Sequence, residues 1–300
     1  MKALWGIDLG GTKIEGIVIN AQSKEVLARL RIPTQSALGY EHIIRQIQKL
    51  VKLLETETGL QAEKPGICTP GTVDKASGLM KNCNTTALNG KNLKKDLQMV
   101  FQQECRLAND ANCFALAETK MGIVADRFPY AEVVFGMILG TGAGGGIVVH
   151  GDLLNGKHGI AGEWGHNFLD ESGGACYCGQ TGCVETILSG TAIQKYFKKL
   201  SHSDADVKQI TELYRQGNEY AVLTMNRFFH FFGKATAQVI NILDPDVIIV
   251  GGGVGNIDEL YSLGVEKIKP FIFNHSLNTA FVKPKLGDSA GVFGAAFLHN

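Results

Sequence analysis

A glycine-rich turn between two apolar runs occurs twice in this chain, 130 positions apart: GIDLGGTKIEGIVI (Gly6–Ile19) and GMILGTGAGGGIVV (Gly136–Val149). Aligned without a gap, Gly6, Leu9, Gly10, Gly16, Ile17 and Val18 fall on Gly136, Leu139, Gly140, Gly146, Ile147 and Val148. Gly140–Gly145 spells G-x-G-x-x-G, but a dinucleotide-binding turn must open a helix. Here both turns run into strands, Ile14–Ile19 and Ile147–Val149, so each reads as a tight strand–turn–strand hairpin. Glycine lets such a backbone approach a ligand closely, and its exposed N–H groups can cradle an anion. An ordinary hairpin turn is the alternative for either copy alone. Two aligned copies, one with Asp8 just ahead of the glycines and Thr12–Lys13 inside the turn, point to two homologous halves gripping a polyphosphate from opposite sides.

Three hundred residues fit two domains. With 45% apolar and 19% charged residues the composition is that of a globular protein. The formal net charge is zero and the Lys94–Lys95 and Lys198–Lys199 pairs are isolated, which argues against a nucleic-acid partner. No apolar run approaches the ~18 residues of a membrane span. MKALWGIDLGG lacks the form of a signal peptide. A cytoplasmic location with no membrane partner is expected.

Apolar spacing predicts strands at Ala3–Leu9, Glu15–Ile19 and Val26–Ile32 and a helix over Tyr40–Glu57. A further strand ends near Thr69, and a helix over Leu93–Gln103 precedes a strand at Arg106–Ala108. The second half opens on the strand Glu132–Leu139. It then becomes mostly helical (Thr191–Leu200, Val207–Gln216, Glu219–Leu243). A buried strand, Asp246–Val250, meets Gly251–Gly253, with another helix from about Asp258. The expected domains are 1–120 and 121–288, with the C-terminal helix, about 289–300, packing back on the first.

Seven cysteines in such a chain do not suggest a disulfide framework. Cys68, Cys83, Cys105 and Cys113 are scattered and read as buried hydrophobes. Cys176, Cys178 and Cys183 crowd into eight residues, with His166 ten positions ahead. One imidazole and three thiols make a closed tetrahedral set suited to structural Zn²⁺; free thiols beside a chance histidine are the alternative. Asp110, in LANDANC, lies between a strand end and a helix, where a carboxylate serves either as a general base or as an N-cap.

The segments GIDLGGTK, LANDANC, ILGTGAGGG, GEWGH, CYCGQTGCVE and DPDVIIVGGG, in this order, resemble the ROK family of bacterial sugar kinases and repressors, and the likeness runs on to GDSAGVFGAAFL. The resemblance implies an α/β actin-like ATPase (ribonuclease H-like) fold of two homologous domains with a nucleotide and sugar cleft between them. It implies zinc ligation by His166, Cys176, Cys178 and Cys183, and Asp110 as the general base. Asn109, Glu163, His166 and Glu185 match the family's sugar-binding positions, and Gly71 and Asn84 lie on the expected sugar loops. His166 then serves both zinc and sugar. Asp8 matches the carboxylate associated with Mg²⁺. Phosphate of ATP falls to Gly6, Ile7, Asp8, Leu9, Gly10, Gly11, Thr12 and Lys13 on one side. On the other side it falls to Gly140, Thr141, Gly142, Ala143, Gly144, Gly145, Gly146 and Ile147, with Gly251, Gly252 and Gly253 near adenosine. Cys68 departs from the glycine usual at its position.

The expected function is an ATP-dependent kinase of a hexose 6-hydroxyl, acting as a homodimer. MKNCNTTALNG (Met80–Gly90), Trp164 in AGEWGHN and the CYCGQTGCVET segment look more like the fructokinase and mannokinase branch, so fructose is expected first, with mannose or glucose secondary. N-acetylglucosamine kinase is the alternative. A repressor of the family carries a winged helix ahead of the first glycine turn, where five residues precede Gly6 here. Polyphosphate is a further candidate donor.

Overall fold

The computed structural model describes residues 2–300, which divide into two compact units. The first comprises residues 2–127, Gly151–Ala161 and Lys285–Asn300; the second comprises Phe128–His150 and Gly162–Pro284.

In the first unit, strands β1 (Ala3–Leu9), β2 (Lys13–Asn20), β3 (Val26–Pro33), β4 (Gly66–Thr69) and a later strand Arg106–Asn109 form one sheet. A two-stranded ribbon, β5 (Thr72–Val73) with β6 (Met80–Lys81), makes Arg106–Asn109 β7, and the sheet order is β3–β2–β1–β4–β7. The β1–β2 and β2–β3 pairs are antiparallel, whereas β4 and β7 add in parallel. Helix α1 (Tyr40–Thr58) turns Ile43, Ile47, Leu50 and Leu54 inward, a helical stripe buried against Ile14 and Val18 of β2. It stops at Gly59, whose φ of 68° supplies the left-handed residue common after a helix end. Helix α2 (Leu93–Phe101) is capped by Asn92, and α3 (Asp110–Lys120) follows β7 directly.

In the second unit, β8 (Val133–Leu139) and β9 (Ala143–Val149) form the second copy of the hairpin. Beyond the two-residue strand β10 (Asp152–Leu153) come β11 (Val247–Gly251) and β12 (Ala280–Val282), in the order β9–β8–β11–β12. An antiparallel pair followed by two parallel additions repeats β2–β1–β4–β7. The duplicated phrase is thus a duplicated supersecondary unit, as an actin-like fold requires. The copies differ by one residue at the turn. Leu9 pairs with Ile14, but Leu139 pairs with Ala143, so Gly144–Gly146 belong to a strand rather than to the turn.

The chain ends in the first unit, where α4 (Ala290–Ala296) packs on β1, β4 and α3. Its approach is backbone to backbone: a Cβ on Gly6 would lie 2.3 Å from the Val292 carbonyl oxygen, and one on Gly66 1.9 Å from that of Ala295. Glu118 anchors the entry to this helix. It is fully buried and its carboxylate accepts the backbone N–H groups of Ile123 (2.9 Å), Lys285 (3.0 Å) and Leu286 (2.7 Å). Glu118→Ala leaves three partly buried donors without their carboxylate, each worth up to about 1–3 kcal/mol and less where water can reach it. We expect a loss of at least ~2 kcal/mol of unfolding free energy, read by urea denaturation; an unchanged midpoint would remove this anchor from the account.

Candidate active site

Three groups of residues assemble within the units. The first surrounds Asp8 and Asp110. Asp8 stands one residue before the end of β1, directly opposite Cys68 of β4, and Cys68 is itself opposite Ala108 of β7. Parallel register therefore lines up the strand ends that carry Asp8, Thr69 and Asn109. The Cys68 side chain points to Asp8: both lie within 3.3 Å of the space a Cβ on Gly291 would fill. The departure from glycine thus bears on Asp8 rather than on the sugar loop. Removal from water raises the Asp8 carboxyl above the ordinary carboxylate range, and the Cys68 thiol, donating to it, pulls in the opposite direction.

Asp110 is the first residue of α3, but it is not the cap. That role falls to Asn109, whose Oδ1 accepts the Asn112 N–H at 2.9 Å. Asp110 accepts the adjacent Ala111 N–H at 2.8 Å, and its own backbone N–H also turns to the carboxylate, so its partners are local and none is a side chain. The residue is exposed at the surface, yet its carboxylate is crowded by protein. The displaced water raises its carboxyl above the usual range, the direction expected of a group that must pick up a proton in turnover. Thr69, Gly71 and Asn109 also line a groove of 510 Å³ in this unit.

The turn after Asp8 leaves Gly11, Thr12 and Lys13 exposed and is held from behind. Thr34 Oγ1 donates to the Gly10 carbonyl at 2.6 Å and Ser36 Oγ to that of Gly11 at 2.9 Å. Ile7 and Leu9 put their side chains in the core, so only their backbones face outward chemistry.

The second group is the turn Gly140–Gly142 and a cavity of about 770 Å³ beside it. Gly252, at φ 80°, lies against this turn so closely that a Cβ would meet the Leu139 carbonyl oxygen at 2.3 Å. Thr141 and Gly253 line the cavity, and apolar Val207, Val254 and Ile257 face it with Gln194 and Lys208. The last two belong to Gly190–Ser201 and Val207–Arg215, helices that sequence reading located without assigning them a role. An apolar slot with polar edges beside an N–H-rich turn suits a nucleoside next to its phosphates.

The third group holds Glu163, His166, Glu185 and the three cysteines. The Glu185 carboxylate accepts the Ala143 N–H at 2.9 Å, which ties this group to the β8–β9 hairpin. Trp164 is buried, donates to the Gly144 carbonyl at 2.8 Å and stacks edge-on against Phe135. It is a core residue behind the Glu163–His166 turn rather than a wall of a sugar pocket. Asn84 is exposed on its loop in the first unit.

The nitrogen and three sulfurs of His166, Cys176, Cys178 and Cys183 all lie within 4.8 Å of one another. Cys176 Sγ is 3.7 Å from His166 Nδ1, and Cys178 Sγ is 3.6 Å from Cys183 Sγ. A tetrahedral ion with bonds of ~2.3 Å to sulfur and ~2.0 Å to nitrogen separates its donors by ~3.5–3.8 Å, so the set fits zinc. Turns position it: Cys176 N–H donates to the Gln180 carbonyl at 2.8 Å, and Gly179 N–H back to that of Cys176 at 3.1 Å. His166 Nε2, the nitrogen away from the sulfurs, is 3.0 Å from the Tyr177 hydroxyl, a residue sequence reading passed over. The protein around the Tyr177 hydroxyl displaces some water and, with Glu185 and Cys176 nearby, pushes the phenol of this otherwise exposed residue up to about 12.

An aspartate opening a helix beyond a parallel sheet edge, with one glycine hairpin turn in each unit, belongs to a sugar kinase of the actin-like class. The ROK family model matches residues 4–300, and the chain belongs to the ROK family. It is 34% identical to the N-acetyl-D-glucosamine kinase of Pectobacterium atrosepticum and 33% identical to that of Haemophilus influenzae, over 98% of each chain. Among solved structures it resembles the ROK hexokinase from Thermus thermophilus (TM-score 0.88, 29% identity, 99% of this chain and 97% of that one). It also resembles a ROK glucokinase from Streptomyces griseus in complex with glucose and AMPPNP (TM-score 0.75, 27% identity, 99% of both chains). No helix among the described residues is long and apolar enough to cross a membrane.

Proposed function

We propose that the protein transfers the γ-phosphoryl group of ATP to the 6-hydroxyl of a hexose, with Asp110 as general base. The observation that carries this reading is the division of labour at the start of α3: Asn109 caps the helix, and the Asp110 carboxylate at its first residue is exposed and makes only local backbone contacts. Asp110 accepts the proton of the attacking hydroxyl as the O–P bond forms. The exposed N–H groups of the two hairpin turns, with Lys13, receive the phosphate charge. Asp8 is the residue that would hold Mg²⁺, whose chemistry when bound is to neutralise the β- and γ-phosphate oxygens. The Asn109 amide, Glu163, His166 and Glu185 hydrogen-bond sugar hydroxyls. Zinc on His166 and the three cysteines fixes the shape of this pocket and takes no part in the chemistry. Cytoplasmic homodimers remain the expected form.

For the acceptor, the curated relatives favour N-acetylglucosamine, and this is the first reading. Fructose is the second, carried by the likeness of the Met80–Gly90 loop and of Trp164 to the fructokinase and mannokinase branch; Trp164 itself is buried in the core. The test is kcat/KM with Mg-ATP for N-acetylglucosamine, fructose, mannose and glucose, with polyphosphate as the competing donor. The first reading predicts at least a ~10-fold advantage for the acetylated sugar, about 1.4 kcal/mol of transition-state binding. A fructose advantage of that size would reverse the assignment and leave the kinase intact. No transfer to any of the four would end the proposal.

A further inference from the structure

The group around His166 contains one residue that the functions above do not use. Tyr177 sits between two of the cysteines, in the turn closed by Gly179 and Cys176, so its backbone cannot leave the thiol cluster. Its side chain is 80% exposed, yet the hydroxyl is 3.0 Å from His166 Nε2. The rings meet edge-on, with centroids 5.2 Å apart and planes at 90°.

The proton on that contact can be placed. His166 Nδ1 is the nitrogen turned to the Cys176 sulfur, at 3.7 Å, and so to an ion in the cluster. A neutral imidazole that ligates through Nδ1 carries its hydrogen on Nε2. Nε2–H therefore donates to the phenol oxygen. An imidazole has one such hydrogen, directed in the ring plane, so it serves one strong acceptor at a time. The reading of His166 as a sugar ligand needs the same hydrogen. A sugar hydroxyl and the Tyr177 hydroxyl are chemically alike, both neutral O–H groups able to accept from N–H.

We propose that Tyr177 gates the acceptor sugar: in the free protein its phenol occupies the sugar-facing nitrogen of His166, and a sugar hydroxyl must displace it. The inference rests on His166 being a sugar ligand. Its exposure makes the displacement easy, since little packing holds the ring and rotation about χ1 takes the hydroxyl away. The phenol then shields the pocket's donor from water until a hydroxyl of the right placement arrives. Sugars that cannot reach Nε2 leave the gate closed.

The test compares wild type with Tyr177→Phe as zinc-loaded full-length protein. Phenylalanine keeps the edge-on ring contact and removes only the competing oxygen. A partly exposed neutral hydrogen bond is modest in net strength. The Kd and KM of the best sugar of the four-sugar panel should therefore fall about 2- to 10-fold, with kcat, the KM for ATP and zinc content unchanged. A second reading uses the side-chain ¹H–¹⁵N signals of the histidines. The Nε2–H of His166 should shift on mutation to Phe, and by a similar amount on adding sugar to wild type. An unchanged sugar Kd overturns the gate, and a raised one shows instead that the phenol holds the sugar. Either result leaves the kinase reading standing, whereas a panel without any phosphorylated sugar ends both.

Discussion

Asp110→Asn should lower kcat by about 10²-fold or more, the usual scale for loss of a general base, with sugar KM little changed. Asparagine keeps the shape of the side chain and can still accept the Ala111 N–H, so the start of α3 survives. The capping that holds the helix belongs to Asn109 and is untouched. Stability should not fall. Burial raises the Asp110 carboxyl above its unfolded value, so the folded protein is favoured below the unfolded pKa. That advantage is lost as pH rises through the folded value. At neutral pH the ionised group is a burden that asparagine removes, so the melting temperature should equal or exceed that of wild type. For the wild type the same shift puts the acid limb of the kcat/KM profile above the ~3.9 of a free aspartate. Near wild-type turnover in the variant would remove Asp110 from its role.

Cys178→Ser should take away the zinc and with it much of the stability of the second unit. Cys178 is the exposed member of the set, while Cys176 and Cys183 are buried. A serine there leaves no cavity, so any loss of stability must come from the lost ligand rather than from packing. Structural zinc contributes directly to folding free energy. A loss of ~3 kcal/mol corresponds to a fall of roughly 5–10 °C in Tm for a unit of this size. The turns that present Glu163, His166 and Glu185 depend on the same cluster, so sugar KM should rise in parallel. Metal analysis of protein purified without chelators should give one zinc per chain for wild type. A ratio near zero with full activity would contradict the assignment.

The hairpin duplication was legible because its cause is local: glycines between two apolar runs mark a turn, although the one-residue difference between the two turns shows only in the strand pairing. Helices with a continuous apolar stripe, such as Tyr40–Thr58 and Glu219–Leu243, were legible for the same reason. The helix expected from Asp258 was not formed. Single turns at Asp258–Tyr261 and Leu263–Glu266 replace it, broken at Ser262 and followed closely by Pro270. The cysteine cluster could be read from spacing, but Tyr177 could not, since nothing in C-x-C marks the middle residue. Asp110 and Asn109 could not be told apart as caps by composition, because both carry an oxygen at the right distance from Cα. Glu118 shows the hardest class. Its partners Lys285 and Leu286 lie more than 160 positions away, and no periodicity encodes such a contact. A close approach from the far end of the chain was equally hidden: Gly6 and Gly66 are bare where the C-terminal helix presses on them.

The central claim is transfer from ATP to a sugar with Asp110 as the base, and ³¹P NMR of the protein with Mg-ATP and the best sugar of the panel tests it most directly. The account predicts that ADP and a sugar 6-phosphate appear in equal amounts, with inorganic phosphate absent, and that Asp110→Asn slows both together by about 10²-fold or more. Release of inorganic phosphate in place of the sugar phosphate, or a phosphorylated sugar formed equally fast by the variant, would contradict it.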